Sequence, residues 1–441
     1  MTSGLTNLLA LPLGLFSLIF NLGPFRPLQP SGLEGKDLAV QWRSPWVMRL
    51  TPDPDVNAMV TNYLKVLEEH GLPPDKQGVW IQSDHSAVVE HQGTVPLPAA
   101  SLTKLTTTLA ALKTWPVDHR FDTLVGITGP LKDGVVNGDL VVQGGGDPLF
   151  IWEEGMVLAN HLQASGIQRV KGGLLVIGPF TMNFEEEPQT SARDLYRVMR
   201  AVTWPRSAWR AYANLPPGTA QPHVVIQGSV RTLAAADGQL SPTWLVRHRS
   251  LPLIGILKAM NIYSNNSMAQ GVTDLAGGAP RVAATAAAAA SLPDGEISLV
   301  NGSGLGLENR LSPRAVVALS LALEKQLAQD GYTIGDVLPV AGQDRGTLNH
   351  RYIPTSAAVK TGTLDQVSAL AGLLPTARGP VWFAIINRGW AIPYLRTQQD
   401  NLLQALQSHW GAGVLPAPLT SKVEMQTGDF RYGDPRRNQA P

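Results

Sequence analysis

Residues 98–104 read Pro98-Ala99-Ala100-Ser101-Leu102-Thr103-Lys104 and lead into a stretch rich in Leu, Thr and Ala that runs to Trp115. Alanine and leucine favour helix, so the run predicts a buried helix with Ser101 near its N-terminus. Residues at i and i+3 lie on one helix face, which brings the Ser101 hydroxyl and the Lys104 amine together. A serine hydroxyl is a poor nucleophile until a base takes its proton. Lysine can be that base only when neutral, a state reached by burial or beside another cation. The helix N-terminus adds free backbone N–H groups and partial positive charge. Ser-x-x-Lys alone also describes an ordinary helix start capped by serine, so its meaning depends on the rest of the chain.

Two further motifs follow in order. Ser264-Asn265-Asn266 offers a hydroxyl to relay a proton and, in Asn266, an amide to hold a peptide group. Ser and Asn are also common turn and cap residues. Lys360-Thr361-Gly362-Thr363 directly precedes a predicted strand, Val367 to Leu374. A lysine and two hydroxyls at a strand edge can bind a carboxylate, and Gly362 lets a ligand approach the backbone closely. The order Ser-x-x-Lys, Ser-x-Asn, Lys-Thr-Gly is the set carried by β-lactamases and penicillin-binding proteins.

Four stretches narrow the likeness. They are residues 98–104 themselves; Gly138-Asp139-Leu140-Val141-Val142-Gln143-Gly144-Gly145-Gly146-Asp147-Pro148; Asn301-Gly302-Ser303-Gly304-Leu305 with Asn309-Arg310-Leu311-Ser312-Pro313; and Leu338-Pro339-Val340-Ala341-Gly342 leading to Gly346-Thr347-Leu348. From about Asp55 to Trp410 the chain resembles the low-molecular-mass class C penicillin-binding proteins, a family of D-alanyl-D-alanine carboxypeptidases and endopeptidases. That family usually has Asp where Asn301 stands and a serine near Gly306. Its aromatic, acid-bearing insert motif has only a faint echo here in Trp204-Pro205 and Trp209.

The resemblance implies an α/β fold of the α+β kind: a β-lactamase/transpeptidase-like domain with an antiparallel sheet flanked by helices, interrupted by a smaller β-rich inserted domain. It also implies a cycle in which Ser101 attacks a D-alanyl carbonyl of a peptidoglycan stem peptide and Lys104 takes the proton. Ser264 passes a proton to the leaving amine, and Asn266 orients the peptide. Lys360, Thr361, Gly362 and Thr363 bind the terminal carboxylate. β-Lactams are expected as covalent inhibitors, and no metal or cofactor is required. The alternatives are a β-lactamase, for which Tyr212-Ala213-Asn214 is the sequence argument, and a non-catalytic envelope binding protein on the same fold.

Composition bounds these readings. The 441 residues predict two or three domains with a sizeable core, since 44% are hydrophobic. With 35 basic and 34 acidic residues the net charge is +1, which gives no electrostatic case for nucleic acid. Absence of cysteine removes disulfides and thiol catalysis. The nine histidines are scattered; His85 and His91 lack metalloprotease spacing, so no metal site is expected. Gly144-Gly145-Gly146 lacks the Lys-Ser/Thr of a phosphate loop and reads as a tight turn.

The domain reading is as follows. Residues 1–30 form a signal-like or anchor segment and linker, because Leu8 to Leu22 is nearly all apolar and Pro24 to Pro30 cannot continue a helix. Residues 40–115 and 253–412 form the main domain, 116–252 the insert, and 413–441 a mobile polar tail. Within the main domain, helices are expected from Asp55 to His70, around Ile254 to Leu275, over Ala283 to Ala290 and from Tyr394 to Trp410. Hairpins are expected at 79–89 and 367–386. The expected location is the bacterial envelope, periplasmic or N-terminally anchored, with possible membrane association through the N-terminus.

Overall fold

The computed structural model describes residues 49–83, 86–233, 240–413 and 421–441. The signal-like segment 1–30 lies outside the described residues, and none of the described helices is long and apolar enough to cross a membrane.

A six-stranded sheet organises the main domain, in the order Arg49–Leu50, Ser86–His91, Gln77–Ser83, Gly379–Arg388, Val367–Thr376, Ala358–Leu364. Every pairing is antiparallel except that of Arg49–Leu50. Period-two side chains make it a two-sided wall. Trp382, Ala384 and Ile386 face a core shared with helices Thr103–Thr114 and Pro313–Ala328. Val381, Phe383 and Ile385 face a second core with helices Pro54–Glu69 and Ile392–Trp410. Both faces are covered, and all ten residues of Val367–Thr376 are buried, which is why that strand reads as a nearly continuous apolar run.

The expected helices form, with one difference. The stretch Ile254 to Leu275 is two helices, Leu253–Tyr263 and Asn266–Leu275, broken at Ser264. Lys360-Thr361-Gly362-Thr363 lies within a strand of its own, Ala358–Leu364, at the sheet edge and just before Val367–Thr376.

Residues 122–249 carry a hydrophobic core of their own. Their main sheet is mixed: Val230–Leu233, Leu174–Ile177 and Leu140–Gln143 run parallel, while Asp122–Ile127 and Thr243–Arg249 pair antiparallel. Besides strands, this region holds helices Trp152–Ala164, Pro188–Val198 and Arg206–Tyr212.

The expectation of a mobile tail does not hold for residues 421–441. Asn438–Gln439 adds a strand to Thr243–Arg249, Val423 is buried, and Asp336 accepts from the backbone N–H of Lys422 and Val423. The buried carboxylate of Glu154 is held by the Arg437 guanidinium and the Gly433 N–H. The tail is polar because it supplies partners for charges already buried, and composition cannot distinguish that from solvation. Arg437→Ala therefore leaves a buried carboxylate without its cation, and urea unfolding should show a loss of about 3–5 kcal/mol. An unchanged midpoint would mean that the pair does not hold the tail.

Candidate active site

Ser101 lies in a single 3₁₀ turn, Ala100–Leu102, that feeds directly into helix Thr103–Thr114. Ala100, just before it, has a φ of 47°. A non-glycine residue in the left-handed region is held there by its surroundings, and the effect is to turn the chain sharply at Ser101. Lys104 follows one turn later. Its Nζ donates to Ser101 Oγ at 2.9 Å, Asn266 Oδ1 at 2.8 Å and the backbone oxygen of Ser303 at 2.8 Å. Lys104 has no solvent exposure, and burial lowers its amine to a pKa of about 7. A buried lysine near 7 is a base at neutral pH.

The Ser264-Asn265-Asn266 element is a helix break, and each residue has a separate task. Ser264 closes Leu253–Tyr263 in a left-handed conformation, φ 52° and ψ 39°. The Asn265 side chain then caps the next helix by accepting from the Met268 N–H. This reversal aims Asn266 at Lys104 and presents Ser264 Oγ to Lys360 Nζ at 3.0 Å. Lys360 also donates to the Thr361 backbone oxygen at 2.8 Å. It is fully buried, and burial together with repulsion from Lys104 holds its amine well below the ordinary lysine value. Gly362 is required by crowding: a Cβ there would sit 2.9 Å from the Ala99 oxygen and 3.2 Å from the Ala100 Cβ. Thr361 is buried, whereas Thr363 is exposed.

All eight residues singled out in the sequence thus fall on the Ser101 helix start, the Ser264–Asn266 break or the strand Ala358–Leu364. Hydrogen bonds tie Ser101, Lys104 and Asn266 into one group and Ser264 and Lys360 into another. The structure adds members that the motifs do not name. Asn301 Oδ1 accepts from Ser303 N, Ser303 Oγ and Gly304 N, while its Nδ2 donates to the Leu305 oxygen at 2.7 Å. That last bond is one an aspartate cannot make. The amide shapes the loop that aims the Ser303 carbonyl at Lys104. Arg396, on helix Ile392–Trp410, donates to Thr363 Oγ1 at 2.8 Å and places a guanidinium at the end of the motif strand. Its position in an amphipathic helix carried no sequence signal.

Trp204 and Trp209 do not line this cleft. Trp204 is buried in the insert core, and the two rings pack on each other and on Tyr212. Tyr212, the basis of the β-lactamase motif, donates to the Thr219 oxygen within the same region. Insert residues that reach the Ser264–Asn266 break include Trp152, Glu153, Asn183 and Phe184, which line an apolar pocket with Tyr263 and Asn265.

Known proteins share this architecture. The chain is 29% identical over 376 residues to a carboxypeptidase DacB of Mycolicibacterium smegmatis, covering 74% of this chain and 79% of that one. It is 25% identical to a D-alanyl-D-alanine carboxypeptidase of Actinomadura sp., covering 75% and 81%. Among solved structures, it superposes on a predatory endopeptidase of Bdellovibrio bacteriovorus acylated by penicillin G, with TM-score 0.66, 23% identity, and 77% and 96% of the two chains covered. Penicillin-binding protein 4 of Haemophilus influenzae gives a TM-score of 0.60 at 17% identity, covering 78% and 99%. These two structural likenesses speak for the fold. The model of the D-Ala-D-Ala carboxypeptidase 3 (S13) family matches residues 60–201 and 219–408, and with most of its length matched the chain belongs to that family of serine peptidases.

Proposed function

We propose that the chain cleaves the D-alanyl-D-alanine end of peptidoglycan stem peptides, and D-alanyl cross-links, through an acyl-enzyme on Ser101. The observation that carries this reading is the buried Lys104 amine 2.9 Å from Ser101 Oγ. Neutral Lys104 takes the hydroxyl proton as Oγ attacks the penultimate D-alanyl carbonyl. The backbone N–H groups of Ser101 and Thr363 stabilise the oxyanion. Ser264 delivers a proton to the departing amine, D-alanine leaves, and water then hydrolyses the ester.

Lys360, Thr361 and Thr363 receive the terminal carboxylate, with Arg396 beside them. A bound carboxylate favours the charged form of Lys360, and that positive charge in turn favours neutral Lys104. Arg396→Ala should accordingly raise KM for a D-Ala-D-Ala peptide about tenfold, with less effect on kcat. An unchanged KM would remove Arg396 from substrate binding.

Peptidoglycan lies outside the cytoplasmic membrane, and the family's action on the cell wall places the chain in the extracytoplasmic envelope. We propose a periplasmic protein whose segment 1–30 serves as signal or anchor. β-Lactams act as substrate mimics that stop at the acyl stage, as penicillin G does on the Bdellovibrio enzyme.

The test is intact mass after incubation with benzylpenicillin, with Ser101→Ala alongside. A lasting adduct on the wild type alone is the expected result. Intact drug and no adduct would mean a non-catalytic binding protein, and drug consumed without an adduct would mean a β-lactamase.

A further inference from the structure

Arg120, Arg249, Arg436 and Arg437 converge on a concave pocket of about 190 Å³, completed by Asp429, Asp434 and Gln439. Three parts of the chain build it. Arg120 comes from the segment entering the insert, Arg249 ends the strand Thr243–Arg249, and the rest belong to the tail. Four cations face two acids, which leaves an excess of two positive charges among the lining residues. Asp434 is held by the Arg436 guanidinium, through Nε at 2.9 Å and Nη2 at 2.6 Å. Asp429 is exposed. The nearest acid to Arg249 is Asp122 at 3.7 Å, beyond hydrogen-bond distance, and Asp122 stands equally far from Arg247.

Of the four, Arg437 is already engaged: its Nη2 donates to Glu154 and to the Arg431 oxygen. Arg120 uses Nη1 on the Ser250 oxygen. Burial, then repulsion from Arg249 and Arg437, pull Arg120 below the usual arginine value against the weaker attraction of Asp429 and Asp118. Mutually repelling guanidinium groups gathered round one pocket are costly. An oxyanion among them relieves that repulsion, and guanidinium forks match phosphate oxygens in geometry.

We propose that this pocket binds a phosphate-class oxyanion, which fastens the tail to the insert. The pocket shares no residue with the Ser101 cleft, so binding there is separable from acylation. Free phosphate and a phosphate monoester present the same oxygens, so both serve as probes.

The experiment is calorimetric titration of the full chain with inorganic phosphate, and separately with glycerol phosphate, against chloride at constant ionic strength. Saturable binding with millimolar or tighter affinity is expected. Binding of inorganic phosphate alone identifies the free ion, and tighter binding of glycerol phosphate identifies a monoester group. Arg120→Gln and Arg249→Gln should each weaken binding about tenfold or more, while Arg206→Gln, on an exposed insert position, should leave it unchanged. Circular dichroism and a melting curve report that each variant is folded. If one pocket variant is unfolded, the other decides. No saturable binding by the wild type, full binding by a folded pocket variant, or equal weakening by Arg206→Gln overturns the proposal.

Discussion

Lys104→Ala should slow acylation of Ser101 by benzylpenicillin about 10³-fold, within the range a positioned general base supplies. The amine meets both demands on such a base: it lies 2.9 Å from the hydroxyl, and burial lowers its pKa to about 7. The same value sets a pH dependence. The reactive form is the unprotonated amine, so the wild-type rate should climb as pH rises through about 7 and level off above it. The variant should lose that limb. The alanine leaves Asn266 Oδ1 and the Ser303 carbonyl without this donor, so circular dichroism and a melting curve must accompany the kinetics. A folded variant that acylates at the wild-type rate would remove Lys104 from the mechanism, as would a flat wild-type profile between pH 5.5 and 8.5.

Gly304→Ala should be almost as damaging through backbone geometry alone. Gly304 has a φ of 84°, and an added Cβ would stand 1.9 Å from the Ala100 oxygen and 2.8 Å from Thr103 Oγ1. The left-handed conformation costs a non-glycine residue about 1–3 kcal/mol. The contact with the Ala100 oxygen cannot exist, so either the loop 301–305 or the turn bearing Ser101 must move. Urea unfolding should show a loss of about 3 kcal/mol or more, and acylation should fall with it, because Ala100 precedes the nucleophile and Ser303 holds Lys104. Gly295→Ala is the matched control: its φ is 87°, but nothing lies within 4 Å of the added Cβ. Equal losses in both variants would show that conformational strain, with no clash at the nucleophile, accounts for the effect.

Local pattern was enough to read several elements. The Ser101–Lys104 spacing, the alanine- and leucine-rich run to Trp115 and the hairpin of Val367–Thr376 with Gly379–Arg388 all express relations within a few residues, where side-chain period and turn residues act directly. The order of the three short motifs carried the chemistry. What local pattern could not express is shown by the two lysines. Charged residues ordinarily stay at the surface, yet Lys104 and Lys360 are fully buried, held by partners 162 and 96 residues away, Asn266 and Ser264.

The sequence by itself therefore singled out the candidate site residues and the helix- and strand-forming segments that carry them, because those follow from spacing along the chain. Tertiary structure alone decided that Ser264 adopts a left-handed turn, that Asn301 shapes the loop over Lys104, that Arg396 stands beside Thr363, and that the polar tail docks on Glu154. Each of these depends on desolvation and on contact between distant segments. Neither leaves a periodic trace in sequence, and desolvation is what lowers the Lys104 amine to a pKa of about 7.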